Sequence, residues 1–567
     1  MNNMNKQQNT TAIKPYAALL LLFFLFSYML PLGVRNLIPP DETRYAEIPR
    51  EMIAQGDWIA PHLNGLRYFE KPVLGYWVHA VSILLLGENN FAVRLPSALS
   101  VGLSALLIYV LFCLKGSNGA NDWRLQGILA ALTYLTCIGV FGVGTTALLD
   151  SLFSFFLTAV IIAFYFAAEA PPRSTREKIF LLLSGVLCGI AFLTKGFLAF
   201  AIPVLVFAPY LIWQRRYLDL FRMLWLPVLT ALLVALPWCI SIHLKEPDFW
   251  RFFFWNEHIR RFIGNNAQHK ESFLYFLLTA PGMFLPWTFM VPAAVPGIRA
   301  LIKEKGYQGR LIRFSICWLV LPFLFFSVSK GKLVTYILPC FPPFAILMTF
   351  GLSHAFRRGR KKAFQWGAAV TGILFGLILL AFFYFQFFDH NGSQLYSRHW
   401  KAVMAADSLI FLLLFCFLAI RNHEGTKKIV LFALSPFLLF LAAHLIIPDP
   451  VIETKAPGLL LERYKHGIDN NTLIISDEDA ITAVCWYLNR SDVYLVGRSG
   501  ELDYGLGYKD ASYRLIDIKS AADLINKNQG NILLVGRAKN ISQWQNQLPE
   551  PLFQDRSGPE GYVLWRY

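Results

Sequence analysis

Apolar runs of roughly 16–24 residues recur along this chain from Ala17 to Ile447, separated by short polar connections. A helix of that length crosses the roughly 30 Å hydrocarbon core of a bilayer. The pattern predicts about thirteen spans, near 16–32, 91–114, 126–143, 149–168, 179–194, 197–213, 222–243, 273–295, 311–328, 333–353, 364–388, 405–421 and 427–447. Ala17–Leu30 resembles the apolar core of a signal peptide, but no small-residue cleavage site follows, so it is read as an uncleaved anchor.

After Pro448 the pattern changes. TLIISDEDA, DVYLVGRSG and GNILLVGRAK are short β-rich runs ending in turn residues, with the helical stretches ITAVCWYLN and SAADLINKN among them. The expected division is a membrane domain over 1–449, with outer loops near 34–90 and 244–272, and a small α/β domain over 450–567. The tail glycines form no nucleotide-binding fingerprint.

Charge orients the spans. With a cytoplasmic N-terminus, the inside loops hold Lys115/Arg124, Arg173/Arg176/Lys178, Arg215/Arg216/Arg222, the basic run Arg299–Arg313, the cluster Arg357–Lys362 and Arg421/Lys427/Lys428. Basic inside loops are the usual topology signal, so the net charge of +16 needs no nucleic-acid partner. An odd number of spans then places the C-terminal domain outside, in the periplasm or its equivalent. The mean hydropathy of +0.46 fits a polytopic membrane protein. Seven of the eight cysteines fall in or beside apolar runs, only Cys485 lies in the exported tail, and no zinc framework is spaced along the chain.

The polar segment Asp41–Pro72 stands apart, with ten charged residues between the first two spans of a chain that is 56% hydrophobic. A tether needs no such density; a site beside the bilayer does. Asp41 and Glu42 either cap the helix beginning at Thr43 or belong to that site. Asp150, at the start of the fourth predicted span, is either a helix-start carboxylate or a partnered group facing a cavity. Lys195 (FLTKGF) and Lys330/Lys332 (SVSKGKLVTY) sit in short turns predicted outside, against the charge rule. They either snorkel to lipid head groups or bind phosphates of lipid substrates. His258 and His269 are either ordinary loop histidines or join Glu70 around a divalent metal such as zinc. Arg260/Arg261 suit phosphate, which guanidinium binds through two parallel hydrogen bonds.

Several segments stand in one order along the chain: DETRYAEI, GDWI, GLRYFEKP, TKGFLA, EPDFW, NAQHK, SVSKGKLVTYILPCF and SGELDYGL. Together they resemble the bacterial 4-amino-4-deoxy-L-arabinose lipid A transferases, GT-C type glycosyltransferases related to protein O-mannosyltransferases. The resemblance runs from about Asn36 to Leu506. Asn265-Asn266 stands where acidic residues are common in the family, and Pro49 where serine is familiar.

The resemblance implies an α-helical polytopic membrane protein of the GT-C type, with about thirteen transmembrane helices, juxtamembrane helices in the outer loops and a small periplasmic α/β C-terminal domain. It implies transfer of the amino sugar from undecaprenyl phosphate to lipid A phosphate groups, with inversion at the sugar carbon and resistance to polymyxin and other cationic peptides as the outcome. Lys71 and Arg261 match positions that would hold the carrier phosphate. Asp41 would stabilise the oxocarbenium-like transition state or pair with the donor ammonium, and Asp150 would be a second carboxylate in the same cavity. Tyr45 and Tyr336 would position the donor, and Glu501 would reach the site from the C-terminal domain. The chain is expected to act as a monomer among inner-membrane lipids. The rivals are a related transferase moving another polyprenyl-linked sugar to a protein, and a transporter. A transporter would place ionisable groups at mid-span, whereas here the charges crowd the outer face.

Overall fold

The computed structural model describes residues 13–114, 120–260, 270–388 and 394–567, of which 120, 121 and 258–260 are described in backbone only. Arg261 and His269, and the side chains of His258 and Arg260, lie outside the described residues. The chain is an α-helical polytopic membrane protein carrying a small α/β domain. Among the described residues ten helices are long and apolar enough to cross a membrane, or twelve if each of two bent pairs is one span.

The expected spans near 126–143 and 273–295 are those bent pairs. Asp122–Leu135 and Ile138–Gly144 meet at 70°, and Tyr275–Met283 and Trp287–Leu301 at 97°. Pro286 lacks an N–H to continue its helix, so the chain turns there. Each break supplies what the other lacks: Ile138 N donates to the Leu285 carbonyl at 2.8 Å, and the Trp287 indole to Thr136 Oγ1 at 2.9 Å. Away from water such groups must find partners within the protein. The expected span 197–213 is the 16-residue helix Leu198–Trp213, about 24 Å long and below the usual crossing length.

Elsewhere local chemistry explains the starts and the packing. Asn89 caps Asn90–Cys113 by accepting from Ala92 N at 2.9 Å, and Ser174 caps Thr175–Lys195 through Glu177 N at 3.2 Å. Gly185 and Gly189, four residues apart, let Trp225–Lys245 lie against that second helix. A methyl group at Gly189 would stand 2.7 Å from the Ala231 carbonyl oxygen.

The loop between the first two spans is itself structured. It holds the helix Asp41–Gln55, closed by left-handed Gly56, a two-stranded hairpin of β1 (His62–Leu63) and β2 (Leu66–Arg67), and the apolar helix Leu74–Leu86. On this platform sits the C-terminal domain. Its strands are β3 (Leu473–Ser476), β4 (Tyr494–Val496), β5 (Leu515–Ile516), β6 (Ile532–Arg537), β7 (Phe553–Arg556) and β8 (Tyr562–Arg566), in the order β5-β4-β3-β6-β8-β7. The first four are parallel; β8 and β7 add antiparallel. Polar contacts fix the docking. Thr43 bonds Thr482 at 2.7 Å, and Leu37 N donates to the Tyr487 hydroxyl at 2.9 Å. Asn64 exchanges two bonds with the Val493 backbone while Arg514 donates to its carbonyl.

Under this docking surface the helix Asp41–Gln55 buries two carboxylates one turn apart, Glu47 and Glu51. Arg50 serves Glu47 with two bonds of 2.6 and 2.7 Å. Glu51 accepts from Gly65 N through one oxygen, while its other has no hydrogen-bond partner. Burial, and then the neighbouring Glu47 charge, push the Glu51 carboxyl well above its ordinary range. A raised folded value means stability is fully present below the unfolded value of about 4.3 and is lost as pH rises through the folded one. Glu51→Gln should therefore raise the melting temperature at neutral pH and flatten its decline above about pH 4.3. Superimposable melting curves for variant and parent across that range would remove Glu51 as the source.

Candidate active site

The helix Asp41–Gln55 begins directly after Pro40, which makes no side-chain cap. Its first residues split into two roles. Glu42 turns inward and is fully buried, accepting from Arg94 Nε at 2.6 Å, from both Arg35 nitrogens, from Ile38 N at 2.9 Å and from Ala147 N at 3.2 Å. Burial alone would raise its carboxyl, but Arg94 and Arg35 together hold it far below the usual carboxylate range. Asp41 turns outward, with its side chain 49% exposed, and pairs with Arg44 one turn on.

Arg44 is buried and bridges two carboxylates from distant parts of the chain. One is Asp41; the other is Glu501, delivered by the C-terminal domain. The Tyr68 hydroxyl lies 3.3 Å from both Arg44 and Glu501. Burial favours a neutral Glu501, yet Arg44 more than reverses this and keeps it ionised. Glu70 behaves oppositely: burial raises its carboxyl despite Lys71, and Glu501 and Glu257 add to the rise.

Lys71 Nζ lies 3.1 Å from Glu257, 3.0 Å from the Glu70 carbonyl and 3.8 Å from the Glu70 carboxylate. Across the space, Asp150 occupies the first turn of Leu149–Glu169 and accepts from Lys195 Nζ at 2.5 Å. That ammonium also stands 4.6 Å from the centre of the Tyr336 ring. Asp150 is thus both a first-turn carboxylate of its helix and the partner of the Lys195 ammonium. Tyr45 links the two halves. Burial pushes its phenol up, Arg44 draws it down, and the charges of Asp41, Asp150 and Glu70 push it further. Their charges are near enough to Tyr45 to act on its phenol, and the Arg44 guanidinium lies over the Tyr45 ring at 5.1 Å.

Asp41, Tyr45, Glu70, Lys71, Asp150, Lys195, Tyr336 and Glu501 all belong to this constellation. Lys332 is turned elsewhere. It is buried and donates to the Glu271 carbonyl at 3.0 Å, while the Lys330 carbonyl accepts from Glu271 N at 3.2 Å. The turn carrying both lysines is tied to the end of the second outer loop by backbone pairing. Arg261 and the His258 side chain lie outside the described residues. Among the described residues no three His, Cys, Asp or Glu side chains are grouped to hold a metal, and Glu70 faces an ammonium.

Sequence reasoning did not single out Arg44, Tyr68 or Glu257. Arg44 at three residues from Asp41 carries a local signal, since that spacing brings opposite charges together on a helix. Nothing local marks Glu257 as the partner of Lys71.

Known proteins similar to this chain are sugar transferases. The family described as dolichyl-phosphate-mannose-protein mannosyltransferase matches residues 16–253, and the C-terminal domain of arabinosyl transferase ArnT matches residues 452–565. An undecaprenyl phosphate-α-4-amino-4-deoxy-L-arabinose arabinosyl transferase of Shewanella sediminis is 40% identical over 539 residues, 94% of this chain and 95% of that protein. ArnT from Cupriavidus metallidurans superposes over 98% of both chains with a TM-score of 0.80. Identity is 25% for its apo state and 23% for the form bound to undecaprenyl phosphate. The chain is a glycosyltransferase belonging to the family of undecaprenyl phosphate-4-amino-4-deoxy-L-arabinose arabinosyl transferases.

Proposed function

We propose that this protein transfers 4-amino-4-deoxy-L-arabinose from undecaprenyl phosphate to phosphate groups of lipid A, at the periplasmic face of the bacterial inner membrane. The observation that supports this reading is a pair of charged groups, Asp41 and Glu501 bridged by Arg44 over the Tyr45 ring, and Asp150 paired with Lys195 beside Tyr336. Together they supply both signs of charge, as a cationic sugar leaving an anionic carrier requires. The bond from the anomeric carbon to the carrier phosphate breaks, and its electron pair leaves on the phosphate oxygen. A lipid A phosphate oxygen brings the electron pair of the new bond on the opposite face, inverting the sugar carbon.

The acceptor oxygen is already anionic, so no proton has to be removed from it. Catalysis then rests on electrostatics. The half-exposed Asp41 stabilises positive charge as it develops on the sugar, and Lys71 meets the charge growing on the leaving phosphate once that anion displaces Glu257. Lys195 and Tyr336 form the opposite wall beside Asp150. The ion pairs Arg222–Glu177, Arg310–Glu169 and Arg357–Asp122 engage loops assigned to the cytoplasm by charge, supporting a periplasmic C-terminal domain. Each sugar added brings an ammonium, reducing the negative charge that attracts polymyxin and other cationic peptides.

Lipid A from cells lacking their own transferase, but still making the undecaprenyl-linked amino sugar, tests the proposal. Mass spectrometry should detect one or two added aminoarabinose groups only when this chain is present. Unmodified lipid A, with the protein verified in the membrane, would refute the assignment.

A further inference from the structure

Beside the constellation lies a cavity of about 960 Å³ that the transfer mechanism does not use. One wall is the segment Asp248–Asn256 of the second outer loop; the other is Asp503–Lys509 of the C-terminal domain. The volume is at the upper end for ligand sites, which reach about 1,000 Å³. Resting on the proposed transfer reaction, we infer that this cavity binds the phosphorylated sugar headgroup of the acceptor glycolipid.

The lining matches that ligand in kind. Trp250 and Tyr508 provide aromatic surface for the apolar faces of sugar rings. Arg251 and Lys509, one on each wall, are exposed and take part in no ion pair among the described residues. The lining also holds two carboxylates, Asp248 and Asp503, the latter accepting from the Ser499 hydroxyl at 2.7 Å; Arg251 and Lys509 are the groups able to bind phosphate, and the carboxylates suit the hydroxyls of a sugar headgroup. Phe254 and Trp255 leave 45% and 51% of their surface exposed at the same edge, where acyl chains would run.

The cavity is also joined to the reacting groups. Tyr504 lines it and packs on Phe252 with ring centres 4.2 Å apart and on Phe69 at 5.6 Å, and Phe69 directly precedes Glu70 and Lys71. Glu501, which pairs with Arg44, lies three residues before Tyr504, and Glu257, which pairs with Lys71, follows Asn256. Each wall thus hands a carboxylate to the site, so a headgroup held between them is presented beside the donor.

The test uses the full chain in nanodiscs, with Arg251→Glu/Lys509→Glu as the disrupting pair and Arg251→Lys/Lys509→Arg as the charge-keeping pair. Binding of lipid A and of its dephosphorylated counterpart is measured without donor, and undecaprenyl phosphate binding alongside. Charge reversal should weaken lipid A binding and raise its KM at least about tenfold, leaving undecaprenyl phosphate binding and donor KM within about twofold. The charge-keeping pair should restore acceptor binding, and dephosphorylated lipid A should be insensitive to either. Unchanged lipid A binding after charge reversal, or an equal loss for undecaprenyl phosphate, overturns the assignment. Because binding is read without turnover, a parent chain that binds lipid A through this cavity yet transfers nothing to it would instead count against the proposed reaction.

Discussion

Asp41→Asn is expected to fold and insert normally yet transfer the sugar at least about a thousandfold more slowly. The first half follows from exposure. Asp41 is half-exposed and, among the described residues, pairs with Arg44 on its own helix, a contact that solvent screens on the carboxylate side. Arg44 keeps Glu501 and Tyr68 when Asp41 is neutralised, so the link to the C-terminal domain survives. The second half follows from charge. Asparagine preserves shape and hydrogen bonding but cannot oppose positive charge developing on the sugar, and that difference exists chiefly in the transition state. The melting temperature should stay within a degree or two and donor KM should change little, while kcat collapses. A variant with parental kcat would remove Asp41 from the mechanism.

How far the sequence discloses this site depends on the range of each interaction. The membrane class is written in composition, and the first outer loop announces itself by ten charges in an apolar chain. Lys195 stands out because it violates the topology rule, but its partner Asp150 is 45 residues away and no local pattern joins them. Glu501 meets Arg44 across 457 residues, so only resemblance pointed to it. The helix Leu74–Leu86 escapes span counting because thirteen residues do not cross a bilayer, and it reads as part of a polar loop. The two bent spans look continuous, since hydropathy does not record where a backbone turns. In the tail, TLIISDEDA, DVYLVGRSG and GNILLVGRAK disclose β3, β4 and β6, while β7, with the polar sequence FQDR, has no apolar alternation to reveal it.

The neighbouring substitution, Glu42→Gln, should show the opposite phenotype, a loss of folded protein. Glu42 joins the end of the first span through Arg35, the second through Arg94 and the approach to Asp150 through Ala147 N. A neutral amide leaves two buried guanidiniums without a counter-charge, at a cost of about 3–5 kcal/mol. The paired Glu42 has a depressed folded value, so its stabilisation is present above the unfolded value of about 4.3 and disappears as pH falls through the folded one. The parent should accordingly lose stability in acid, and Glu42→Gln should lack that part of the dependence while starting from a lower melting temperature. Activity should fall too, because Asp41 is the preceding residue and Asp150 lies three residues beyond Ala147. That loss should be partly recovered by lowering the assay temperature, whereas Asp41→Asn should stay inactive. If Glu42→Gln melts like the parent and is inactive at every temperature, Glu42 acts on the reaction directly and its assignment as an anchor fails.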